Sequence, residues 1–83
     1  MQLSKMEYII LFFTHSGAIK FERKCKRDSI LCELMPVPRA LSSNCSISAK
    51  IKYNDNINNL INEEIEKIFL TQNNENTMIY ESE

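Results

Sequence analysis

Cys25, Cys32 and Cys45 carry the most nucleophilic side chains in the chain, and their spacing limits what they can do. An odd number of cysteines argues against a framework of disulfides. No Cys-x-x-Cys pair occurs, and the single histidine, His15, does not combine with the cysteines at the spacing of a zinc finger or ribbon. A zinc site built from His15, Cys45 and a carboxylate is one alternative, but the expectation is no metal and no cofactor. Gly17 is the only glycine, so a glycine-rich phosphate loop is excluded. What remains is thiol chemistry. The thiolate is the reactive form, and an unperturbed cysteine has a pKa of about 8.5. Cys25 and Cys32 read as small hydrophobes inside regular elements. Cys45 differs, because it ends the polar stretch "MPVPRALSSNC".

The flanking elements must position that thiol. Residues 7–13 are rich in Tyr, Ile and Phe, with both alternating sets apolar, as in a central strand. Thr14 or Ser16 can cap a helix over 16–28, whose inner face carries Ala18, Phe21, Glu22 and Cys25. Lys20, Arg23, Lys24, Lys26 and Arg27 cover the rest and read as a solvated face, with a patch for acidic partners or nucleic acid as the alternative. Residues 30–35 form a second strand, stopped by Pro36 and Pro38. "SISAKIKY" alternates as a half-buried third strand, with Ile47, Ala49, Ile51 and Tyr53 facing one way. A stripe of Ile57, Leu60, Ile61, Ile65, Ile68 and Phe69 predicts a second helix over 56–70, capped by Asn54, Asp55 or Asn56. "TQNNEN" is a loop and "TMIYE" a short last strand.

This order predicts an α+β fold, a ferredoxin-like βαββα(β) two-layer sandwich with an antiparallel sheet and two helices on one face. In that topology the third strand lies between the first and second. Thr14, His15, the first helix's N-terminus, the 36–44 loop and Cys45 then converge at one sheet edge. A helix N-terminus and a cation, here Arg39, favour a thiolate. Ser42 and Ser43 add small hydroxyl donors. His15 reads either as a proton shuttle or as a simple loop histidine.

"PVPRALSSNC", together with the opening "YIILFFTHSGAIKFE", resembles the sulfur/selenium (Se/S) carrier protein-like family of small bacterial and archaeal proteins. That family's pattern is a hydrophobic strand, a Ser/Thr-rich turn, a helix with an Ala…Glu pair and a PVPR…SSxCG loop. The matching positions are Pro36, Val37, Pro38, Arg39, Ser42, Ser43 and Cys45, with Ala18 and Glu22 on the helix. The resemblance spans residues 7–53. Ser46 stands where the family has glycine, which removes a place where a partner's backbone could approach closely. The resemblance implies a carrier thiol at Cys45 that holds a persulfide or selenide, with sulfur or selenium donor and acceptor proteins as partners.

Composition agrees with a small globular module. The 83 residues are 43% hydrophobic with a formal net charge of −1, so they make one domain, with a core over about 6–81, and not a nucleic-acid binder. No apolar run is long enough to cross a bilayer, and the expected location is the cytoplasm. If Leu31 and Met35 join the uncovered side of the first strand, the resulting apolar patch predicts a homodimer. A non-catalytic adaptor, with Cys45 incidental, is the competing reading; a small metal- or RNA-binding protein is a third.

Overall fold

The computed structural model describes residues 5–41 and 45–83. The first strand, β1 (Met6–Phe12), is followed by helix α1 (His15–Arg27), strands β2 (Leu31–Pro36) and β3 (Ile47–Tyr53), a 3-10 turn (Ile57–Leu60), and strands β4 (Ile65–Gln72) and β5 (Glu75–Glu81). The five strands form one sheet in the order β2-β3-β1-β4-β5, with every neighbouring pair antiparallel. β3 therefore lies between β1 and β2, as the sequence predicts.

β1 is central because both of its faces can be buried. Tyr8, Ile10 and Phe12 point toward α1 and pack with Ala18, Phe21, Ala49, Ile51, Ile65 and Ile68. The rings of Phe12 and Phe21 lie 5.3 Å apart between centroids, tilted by 55°, a favourable aromatic arrangement. α1 starts where Thr14 Oγ1 accepts the Gly17 N–H at 3.0 Å, a side-chain cap for one otherwise unpaired helix donor. The chain's one glycine is explained by a close approach. A Cβ at Gly17 would stand 3.0 Å from the Cβ of Glu64, in the segment leading into β4.

The second helix is not formed. A two-helix ferredoxin-like sandwich is therefore corrected to an antiparallel five-stranded sheet with one helix, and the predicted 56–70 segment is a 3-10 turn followed by β4. The asparagines supply the reason. Asn56 Oδ1 accepts the Asn58 N–H at 3.0 Å and Asn62 Oδ1 accepts the Glu64 N–H at 2.8 Å. The first bond caps the 3-10 turn; the second takes a donor that a continuing helix would pair with the Leu60 carbonyl, and so favours leaving the helix there. Further on, Asn73 and Asn74 have φ of 52° and 66°. Two consecutive residues there make the tight hairpin turn whose twist suits two antiparallel strands. Ile65 and Ile68 still face the core, but from a strand with a bulge against β1 between Leu11 and Phe12. Asn74→Ile is expected to lower stability by about 1–2 kcal/mol, because a β-branched residue resists that backbone region. A urea titration that leaves the midpoint unchanged would contradict this reading of the hairpin.

The sheet face opposite α1 is covered by the connection after β2. Leu41 packs on Ile9 and Leu11, with Met35, Val37 and Phe69 around them. The Val37 N–H donates to the Ser46 carbonyl at 3.2 Å, closing the base of the loop, and Leu41 N–H donates to the Pro38 carbonyl at 3.0 Å. Ser48 is buried here, and its hydroxyl donates to the Met35 carbonyl at 3.2 Å. Val37 and Leu41 of this connection thus cover an apolar face that the single helix does not reach. The patch from which self-association was expected is largely closed, since Ile9 and Leu11 are buried; Leu31, on the edge strand, stays 63% exposed. No helix is long and apolar enough to cross a membrane among the described residues.

Candidate functional site

The convergence expected from topology is centred on Ser46. His15, the first residue of α1, meets Ser46 through Nε2···Oγ at 3.1 Å. The Ser46 carbonyl accepts from Val37 at the base of the proline loop. Cys45 is the residue before Ser46, so the first turn of α1, the end of β2 and the start of β3 meet beside it. Below them, His15, Leu34, Met35, Pro36, Ser46 and Ile47 line a shallow open cleft of about 360 Å³.

Cys45 itself departs from expectation in one respect. An accessible loop thiol was expected, but Cys45 is only 6% exposed. A strand start beside the first turn of α1 and the end of β2 is a crowded place, and the thiol there is not left open to solvent. Arg39 is exposed in the turn between Pro38 and Leu41 and forms no ion pair among the described residues. Ser42 and Ser43, the two hydroxyl donors expected at the site, lie outside the described residues. His15 is brought to the site, but as a hydrogen-bond partner of Ser46, a residue the sequence reading weighed only as a missing glycine. The signal was present, since a hydroxyl in place of glycine adds a donor and acceptor at that point. Both residues of this link are exposed. Ser46→Gly is therefore expected to change stability by no more than about 0.5 kcal/mol, as read from thermal unfolding.

None of the three cysteines is in a disulfide. Cys25 and Cys32 are not the independent small hydrophobes expected. The Cys32 thiol hydrogen-bonds the Cys25 sulfur, and this holds the Cys25 pKa below that of an ordinary thiol despite burial. Cys32 is pushed up, first by that same bond and then by burial. The two titrate as a pair. Among the described residues no group of three or more His, Cys, Asp or Glu side chains is placed to hold a metal ion.

A family model described as "Putative Se/S carrier protein-like" matches residues 7–81, nearly the whole chain. Comparison with curated proteins and with solved structures finds no match.

Proposed function

Because the chain belongs to the Se/S carrier protein-like family, we propose that Cys45 is its carrier thiol, which receives a sulfane sulfur or the corresponding selenium from a donor protein and passes it to an acceptor. The observation that carries this reading is the position of Cys45. The cysteine of the PVPR…SSxC pattern stands one residue from the His15–Ser46 link, where the helix begins and the proline loop closes. A carrier needs such a thiol and a docking surface, with no deep substrate pocket, and a shallow cleft is lined in part by Ser46, the residue after Cys45.

The transfer is a thiol exchange. The Cys45 thiolate attacks the terminal sulfur of a donor persulfide. The donor's S–S bond breaks, a new S–S bond forms at Cys45, and the donor cysteine leaves as thiolate. The sulfane sulfur keeps its oxidation state, so no further redox partner is required. Burial of Cys45 suits cargo of this kind, because a buried persulfide is shielded from solvent thiols. Donor and acceptor proteins are the partners this chemistry requires. The test is intact-mass analysis after incubation with a cysteine desulfurase and cysteine. The reading expects a gain of one sulfur atom per chain, removed by a reducing dithiol; an unchanged mass would count against it.

A further inference from the structure

Two thiols take no part in this chemistry, yet the fold brings them together. Cys25 lies on the inner face of α1 at 1% exposure, and half-buried Cys32 packs against the same core from the helix side of β2. The turn between them is built to do this. Ile30 N–H donates to the Cys25 carbonyl at 2.8 Å and Ser29 N–H to the Lys26 carbonyl at 3.3 Å. Ser29 adopts a φ of 60°. This is the Schellman helix end, with a non-glycine residue in the left-handed position. It reverses the chain tightly enough for Cys32 to reach back to Cys25, and the two sulfurs are in hydrogen-bond contact.

We propose that Cys25 and Cys32 form a redox-responsive dithiol, a modification site at which a small peroxide oxidises the pair to an intramolecular disulfide joining the end of α1 to β2. A disulfide of about 2.05 Å suits residues whose Cα atoms lie about 4–7 Å apart, and the tight helix end, with Ile30 bonded to the Cys25 carbonyl, returns the start of β2 to Cys25. Cys25 is too enclosed for a bulky oxidant, whereas a water-sized peroxide can enter past half-buried Cys32. The Cys25 thiolate attacks one peroxide oxygen. The O–O bond breaks, Cys25 becomes a sulfenic acid, and the leaving hydroxide takes a proton from solvent to form water. The Cys32 sulfur then attacks the Cys25 sulfur. The S–O bond breaks, and the hydroxyl departs with the Cys32 proton as a second water. Two thiols and one peroxide give a disulfide and two waters, the sulfurs losing two electrons that the peroxide gains. A reducing dithiol reverses the step by exchange.

The experiment treats the native full chain with hydrogen peroxide, blocks remaining thiols with an alkylating agent after unfolding, and maps the peptides by mass. The expected result is a Cys25 peptide joined to a Cys32 peptide, two hydrogens lighter than the sum, in both the parent and Cys45→Ser proteins. In Cys32→Ser, the same treatment should leave a sulfenic acid on Cys25 that dimedone traps when it is present during unfolding. Full alkylation of both Cys25 and Cys32 after peroxide treatment would overturn the proposal, as would a disulfide from either to Cys45. Sulfur loading of Cys45 is a separate measurement, so this reading and the carrier reading can fail independently.

Discussion

Cys45→Ser is expected to abolish sulfur loading completely, whereas Cys25→Ser and Cys32→Ser each still take up one sulfur atom. A serine hydroxyl is not ionised near neutral pH and cannot displace a persulfide sulfur, so the loss should be total and not graded. The fold should survive. Serine nearly matches cysteine in size, and placing its hydroxyl at a site 6% exposed costs about 1 kcal/mol. A chain of this length has a total stability of about 4–12 kcal/mol. Urea unfolding should therefore show a small downward shift of the midpoint with an unchanged slope. Persistence of the adduct on Cys45→Ser would place the sulfur elsewhere and remove the carrier assignment. A protein that fails to fold would instead show that Cys45 is held far more tightly than its burial implies.

The part of the fold that surrounds Cys45 was legible because its signals are local and agree with one another. The doubly apolar run at Tyr8 to Phe12, the cap at Thr14, the stripe of Ala18, Phe21 and Cys25, and the alternation from Ile47 to Tyr53 all point to the elements that form. Once these were fixed, the antiparallel placement of β3 followed, and with it the meeting of His15 with the start of β3. The second half misled because Ile57, Leu60, Ile61, Ile65 and Ile68 satisfy a helical period and also the inward face of a turn followed by a bulged strand. Asparagine chemistry decided between them, and an apolar period cannot register it. The covering of the sheet face opposite α1 was illegible for another reason. It depends on Leu41, a lone apolar residue in a polar loop, whose partners Ile9 and Leu11 are some thirty residues away in sequence.

That dependence leads to the second large effect. Leu41→Ala is expected to lower stability by about 2–4 kcal/mol and to speed alkylation of Cys45 by about tenfold or more. Leu41 is 8% exposed and fills the space over Ile9 and Leu11 on the sheet face that α1 does not cover. Truncating a buried leucine costs the transfer energy of the lost methyl groups together with that of the space left behind. At the edge of the sheet the loop can settle partly into that space, which favours the lower end of the range. Leu41 lies four residues before Cys45, and the Val37–Ser46 bond closes the base of the same connection, so loosening Leu41 is expected to loosen Cys45 as well. With the contact weakened, local opening becomes easier, and each 1.4 kcal/mol taken from the opening free energy raises the exposed fraction tenfold. Alkylation of Cys45 in the native protein reads that fraction directly, and Cys25, buried by α1 on the other face, serves as the internal control. Acceleration at Cys45 without acceleration at Cys25 would show the loop opening as a unit over an intact core. Equal acceleration of both would mean that the loss of Leu41 acts through global unfolding, and the loop would no longer be the element that governs access to the thiol.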